Sequence, residues 1–241
     1  MTLAFKSETH LGDCILHAHF LKKLVKKNPK IERIYLYQFE QHKREVQNFL
    51  PDEPKIVLAP YAAAPENALR GWVGQFGIPP LPCALDTLRF SSYNKLCAQL
   101  DLKSPFIALE DILLDHPNFY RLEKFNRYDV LLINSTPLSN QCILDEEQYK
   151  RFAAKLKAKG KSVITTKKIP GVDCTMDRGY SILDIGCQSI KSTYVIGIGT
   201  GPMIGCLNVR NKEKKFLYID QHHYFDLPYF NMIQSLDQID V

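Results

Sequence analysis

The sequence predicts an α/β protein built as two successive halves, each a parallel sheet with crossover helices. Three observations carry this reading. Strand-like and helix-like stretches alternate through both halves of the 241 residues, the pattern of a parallel sheet joined by right-handed crossovers. The strand-like stretches are short apolar runs bounded by turn signals, as expected for strands buried on both faces. And Tyr194-Val195-Ile196-Gly197-Ile198-Gly199-Thr200-Gly201-Pro202-Met203 runs from β-branched and aromatic residues into a glycine turn, with Pro202 where a helix can begin.

In chain order, Thr2-Leu3-Ala4-Phe5 is a first strand, followed by a polar loop from Lys6 to Gly12. Asp13 then opens a helix. Its apolar residues Cys14, Ile15, Leu16, Ala18, Phe20, Leu21, Leu24 and Val25 form a broad stripe with the lysines opposite, and Asn28-Pro29 stops it. Ile31 to Phe39 reads as a strand, Gln41 to Leu50 as a helix ended by Pro51, and Lys55 to Ala59 as a third strand. From Pro60 to Pro82 prolines and glycines surround Trp72 without a strong period, so irregular and short helical structure is expected. Ser91 to Leu102 is helical, with Tyr93, Leu96, Cys97 and Leu100 on one face, and Pro105 to Asp115 holds a short strand or helix.

The second half repeats the alternation. Tyr128 to Asn134 is a continuous apolar strand ending in the turn Ser135-Thr136-Pro137. Asp145 to Lys159 is an amphipathic helix stopped by Gly160, and Ser162 to Thr166 is a strand. Ser181 to Lys191 is a helix, Tyr194 to Ile198 a strand, Pro202 to Leu207 the next helix and Lys215 to Ile219 a last strand. A terminal helix over Tyr229 to Leu236 has the first domain as one surface to pack on. The expected boundaries are 1–122 and 123–241, two Rossmann-like domains facing a central cleft. Ligands of such sheets lie beyond the carboxyl ends of the strands. That rule gathers Lys6 to Asp13, Ser135-Thr136, Thr166 to Lys168 and Gly199 to Met203, each of which directly follows a strand.

Composition narrows the function. With 45% hydrophobic and 24% charged residues the chain is ordinary globular protein. No apolar run reaches the ~18 residues of a membrane span, and the N-terminus lacks a leader pattern, so a cytoplasmic protein is expected. Seven cysteines show no C-x-x-C pair and are expected to be reduced and buried. The net charge of +5 draws on Lys22, Lys23, Lys26, Lys27 and Lys30. That run is either a solvated helix face or a peripheral contact with an anionic membrane at its inner face. No basic-aromatic stacking surface or recognised module supports nucleic acid as a partner.

The glycine turn suits an anion. Glycines let backbone approach a ligand, and N–H groups of a helix's first turn attract phosphate. The alternative is a plain strand-to-helix corner. Ser135 and Thr136 can donate hydroxyls or simply form a turn. Lys167 or Lys168 can reach a nucleotide or stay in solvent. His10 either touches acceptor or phosphate or is loop polarity, while His17 and His19, two apart on a helix, make a poor metal pair. His222-His223 has no evident partner, and no G-x-G-x-x-G follows the first strand, which argues against an NAD-type site.

With those residues in place, the chain resembles the heptosyltransferase-like glycosyltransferases of family 9, as a short and divergent member. Leu11-Gly12-Asp13-Cys14-Ile15-Leu16 is similar to that family's L-G-D-x-I-L loop and first helix, and Val195 to Met203 to its V-G-x-D-T-G-P-M. Tyr93-x-x-Leu96, Val130 to Asn134, the Gln148 to Lys159 helix and Val163 to Thr166 follow the family's order. The resemblance implies a GT-B fold and inverting, metal-independent transfer of a sugar from a nucleotide-diphosphate donor to a glycan or lipid-linked glycan acceptor, as in lipopolysaccharide or surface polysaccharide synthesis. It implies no cofactor beyond the nucleotide sugar. It makes Asp13 the base that takes the acceptor's proton, a role to set against a helix N-cap. It puts Ser135, Thr136, Lys167, Gly199, Thr200, Gly201, Pro202 and Met203 on the donor, and Lys6, His10 and Gly12 on the acceptor or phosphate side. Three departures stand out. Gly199 replaces the family's aspartate, Ile204 replaces a histidine, and Ser135 to Ile143 lacks any lysine or arginine. They keep two rivals open: an inactive nucleotide-sugar or glycan-binding module, and another α/β sugar-nucleotide enzyme.

Overall fold

The computed structural model describes residues 1–7, 10–50, 53–70, 94, 96–106, 108–136, 145–212, 216–219, 230–233 and 235–241. The chain divides into two compact units, Met1–Leu114 and Asp115–Val241, a boundary ahead of the one expected at 122/123.

The first unit holds β1 (Thr2–Lys6), α1 (Leu11–Lys27), β2 (Arg33–Gln38), α2 (Glu40–Asn48), β3 (Ile56–Pro60) and the two-residue strand β4 (Leu69–Arg70). Its strands are all parallel in the order β3-β2-β1-β4. Strand β4 lies inside the stretch read as irregular from sequence; two residues are too few to show a period. Phe5, Ile34 and Leu36 are fully buried on one sheet face. The sequence expectation for α1 holds at its C-terminal end, where Asn28 is the C-cap, and needs correction at its start and in its burial. It begins at Leu11, with His10 and not Asp13 at the N-cap, and it is buried nearly all round. The reason is a second layer. Phe20 meets Phe106 edge to face at 5.3 Å, His19 Nε2 lies 3.0 Å from the Asp111 carbonyl, and Asn28 bonds both ways with the Lys103 backbone. Segment 96–114 therefore covers the side that the lysine run was expected to leave wet. Within that segment, 96–99 are helical and Leu109–Ile112 make a single turn. Tyr93, Trp72, Pro137 and His222-His223 lie outside the described residues.

The second unit holds β5 (Tyr128–Ile133), α3 (Glu146–Ala158), β6 (Val163–Thr165), β7 (Asp173–Cys174), α4 (Ile182–Lys191), β8 (Ser192–Gly197), α5 (Gly201–Cys206), β9 (Phe216–Ile219) and β10 (Phe230–Ile233). The six strands are parallel in the order β10-β9-β8-β5-β6-β7. Two expectations are corrected. Strand β7 was not foreseen, and the residues read as a terminal helix form β10, paired with β9 from Phe230↔Phe216 to Ile233↔Ile219. Four residues, Phe230 to Ile233, are too few for a period that separates helix from strand, so the open edge of β9 decides it. The following Leu236 and Ile239 are buried in this unit's own core, with Val130, Leu132, Phe152, Leu156 and Ile196.

Local signals set the helix ends. Asp145 caps α3 with its carboxylate on the Glu147 N–H, Gln148 completes the box, and Gly160 beyond the helix has φ +75°. Ser181 and Asp184 do the same for α4. Helices α4 and α5 cross so closely that a Cβ on Gly186 would lie 2.5 Å from the Gly205 carbonyl oxygen, and one on Gly205 2.6 Å from that of Ile182.

Candidate functional site

In the second sheet, β5 and β8 are neighbours, and the chain leaves them in opposite directions, β5 toward β6 and β8 toward β9. Such a reversal of strand order opens a crevice at the carboxyl ends, where doubly wound sheets bind ligands. The segments that follow are Asn134-Ser135-Thr136 and Ile198 to Met203.

Asn134 organises the first of them. It is buried, its side-chain amide donates to the Lys167 carbonyl at 3.0 Å, and its Oδ1 accepts from the Lys167 N–H at 2.7 Å and the Thr166 hydroxyl at 3.1 Å. The ends of β5 and β6 are thus laced together. Ser135 Oγ lies 2.9 Å from Thr166 Oγ1, and Lys167 Nζ donates to Thr136 Oγ1 at 2.9 Å. Three residues expected on the donor side from sequence, Ser135, Thr136 and Lys167, are therefore brought together. Thr166 entered the sequence reading only as the start of the Thr166 to Lys168 segment, and Asn134 was given no role; an asparagine closing an apolar strand was the available signal. Lys168 turns elsewhere, to Asp177 at 3.2 Å.

The turn after β8 is equally fixed. A Cβ on Gly197 would sit 2.5 Å from both the Cβ and the carbonyl oxygen of Ile133, so only glycine lets β8 end this close to β5. Thr200 occupies the N-cap of α5 without bonding its backbone, and Pro202 follows within the first turn. Thr200 is 9% exposed, and its buried Oγ1 has no hydrogen-bond partner among the described residues. A buried hydroxyl left unpaired in a folded protein calls for an explanation, and a ligand oxygen is one. Met203 is buried beneath the turn. Helix α5 has six residues, so what the turn can offer an anion is its N–H groups, with little macrodipole behind them.

In the first unit the same rule marks the reversal between β1 and β4. Lys6 ends β1, its Nζ 4.4 Å from the Tyr61 ring centroid. His10 is exposed at the N-cap of α1, Gly12 is buried in the first turn, and Asp13 is half-buried as the third helical residue, where the N-terminal N–H groups favour a negative charge. Beside them lies a buried polar cluster that the sequence reading missed. Cys14 Sγ lies 3.2 Å from Ser7 Oγ and 3.6 Å from His42 Nδ1. Burial pushes the Cys14 thiol up to about 11, so this pair is no thiolate nucleophile. Burial and the nearby His10 lower His42.

His17 and His19, set aside as metal ligands from their spacing, are neutral buried groups. Burial lowers His17 to about 4 and, with Lys23 adding to it, His19 to about 3. The lysine run is dispersed: Lys22 is buried, Lys23 donates to the Asp111 carbonyl at 2.7 Å, Lys30, itself exposed, donates to that of Asp101 at 2.6 Å, and Lys26 and Lys27 are exposed. Among the described residues no helix is long and apolar enough to cross a membrane. Among the described residues, Cys14, Cys97, Cys174, Cys187 and Cys206 are buried and outside any disulfide.

No family model matches this sequence, and no curated protein matches it. The fold is another matter. The E. coli heptosyltransferase WaaC with ADP superposes with a TM-score of 0.60 at 9% identity, over 99% of this chain and 94% of that one. The chain has a heptosyltransferase fold. The E. coli ADP-heptose lipopolysaccharide heptosyltransferase II matches with a TM-score of 0.58 at 12% identity, over 99% and 95%. A family 9 glycosyl transferase from Veillonella parvula gives 0.56 at 11% identity, over 96% and 86%. The GT-B-like fold inferred from two short motifs is the observed one.

Proposed function

We propose that this chain is a glycosyltransferase that moves a sugar from a nucleotide-diphosphate donor to a glycan acceptor, with inversion and without a metal. The observation that carries the proposal is the buried, unpartnered Thr200 hydroxyl at the reversal of strand order in the second sheet. It stands at the turn after β8, whose glycines and N–H groups suit an anion; Ser135 and Thr136 follow the adjacent strand β5, and Lys167 follows β6 beyond it.

The chemistry follows from charge. As the donor's anomeric bond breaks, negative charge grows on the leaving diphosphate, and preorganised N–H and O–H donors stabilise it without reorganising. The Thr200 hydroxyl, the Gly201 and Met203 N–H groups and the Lys167 ammonium take that role. Lys167 answers the departure noted above: no cation lies between Ser135 and Ile143, but one arrives from the end of β6 and meets Thr136. The acceptor hydroxyl must lose its proton as it attacks the opposite face of the sugar, and Asp13 is the base. Lys6, His10 and Gly12 line the acceptor side. ADP and an ADP-heptose analogue accompany WaaC in its structures, which makes an ADP-sugar the first donor to try.

The test is a thermal-shift screen against ADP-, GDP-, UDP-, CMP- and dTDP-linked sugars, followed by product analysis with the best binder and a lipopolysaccharide-core acceptor. Stabilisation followed by a glycoside of inverted anomeric configuration supports transfer. Gly199, with no carboxylate to hold a donor sugar, favours a second reading, a nucleotide-sugar-binding module. That reading predicts stabilisation with neither transfer nor donor hydrolysis.

A further inference from the structure

We infer that the exposed Phe39 ring, held in place by Tyr61 stacked against it, is a contact for a pyranose ring of the acceptor glycan, a reading that rests on the acceptor-side role of the first unit. The three parallel strands β1, β2 and β3 end in register, Lys6 opposite Tyr37 and Tyr37 opposite Ala59. The residues that close or follow them converge. Phe39, next after β2, stacks on Tyr61, next after β3, with centroids 4.4 Å apart and planes at 20°. The Lys6 ammonium lies 4.4 Å from the Tyr61 centroid, and the His42 ring stands perpendicular to Phe39 at 6.0 Å.

Phe39 is out of place by two ordinary rules. It keeps 36% of its surface exposed, although burial of such a ring is favourable. It also fills the N-cap of α2 without any side-chain cap, at a position where Ser, Asp or Asn would add about 1 kcal/mol. Its packing on Tyr61 and His42 still leaves it 36% exposed, and helix stability would favour another residue; ligand contact at the carboxyl edge of the sheet accounts for both. The exposed part of Phe39 is an apolar ring, with the Lys6 ammonium near its Tyr61 neighbour. A pyranose has the matching character, with one face of C–H groups to lie on an aromatic ring and hydroxyls around its edge for the Lys6 ammonium. A phosphate would want cations and N–H groups in place of aromatic faces.

The test uses saturation-transfer NMR on the full chain with methyl β-D-glucopyranoside, methyl β-D-galactopyranoside and methyl α-D-mannopyranoside, each at about 10 mM, enough to populate a weak site. We expect at least one glycoside to be saturated on the C–H groups of a single face. F39A and Y61A lose that signal at least fivefold while keeping the wild-type melting temperature and amide spectrum, and F39W retains it. The inference is overturned if no glycoside is saturated, if F39A behaves as wild type, or if adenosine is saturated and the glycosides are not. Should Phe39→Ala fail to fold, F39S, which restores a capping hydroxyl, is read in its place. No donor is present in this experiment, so failure of nucleotide-sugar binding would strike the proposed transfer and leave this readout untouched.

Discussion

At the residue scale, the proposal rests on Asp13, Thr200 and Lys167. D13N keeps the shape and the helix and removes the base, so kcat/KM for transfer should fall by roughly 10²–10⁴ while donor binding is unchanged. Equal turnover by D13N and wild type would remove Asp13 from the mechanism. K167A should weaken donor binding by about tenfold or more, the worth of a hydrogen bond to a charged group, read by calorimetry with the donor found in the screen. The histidines make a different prediction. His17 and His19 hold folded-state values of about 4 and about 3 against the ordinary 6.5. The unfolded chain therefore binds protons that the folded chain refuses. Stability is fully present above pH 6.5 and is lost as pH falls toward 4, by up to about 1.4 kcal/mol per pH unit for each suppressed proton. Urea unfolding at pH 7, 6, 5 and 4 should show that loss, and H17L should flatten the slope by about one proton; an unchanged slope would contradict it.

At the element scale, the second unit is held by close approach as much as by caps. The Gly186 and Gly205 backbones seat α4 against α5, and α5 carries the Thr200 turn. G205A puts a methyl against the Ile182 carbonyl and should destabilise the protein by about 1–3 kcal/mol while loosening donor binding. A variant with wild-type melting would show that the helices can part without cost. These elements also show what was legible in the sequence. Helix α3 was readable to its caps, because Asp145, Gln148 and Gly160 are local signals. The strands around the Gly197 turn were readable because buried parallel strands are apolar runs. Strands β4 and β7, two residues each, and β10 were not, since only pairing with a neighbour makes them strands. The burial of Lys22 and the ties of Lys23 and Lys30 were hidden for the same reason: the groups that meet α1's far side lie some 70 to 90 residues along the chain.

At the scale of the whole molecule, each unit reverses its strand order once, and at each reversal stand the residues that the two motifs mark. The motifs were legible at these two places because both the turn and the helix start are local. They were silent on Asn134, Thr166, Ser7, His42, Phe39 and Tyr61, whose roles arise from contacts between strand ends. The central claim is that a nucleoside-diphosphate sugar is held at the carboxyl ends of β5 and β8. Its most direct test is backbone-amide NMR of the full chain titrated with the nucleotide-sugar panel. The account predicts that at least one diphosphate sugar shifts the amides of Ser135, Thr136, Thr200, Gly201 and Met203 together, and that T200V weakens the effect. If no member of the panel moves these amides, or if the shifts fall at the opposite ends of the strands, the account is wrong.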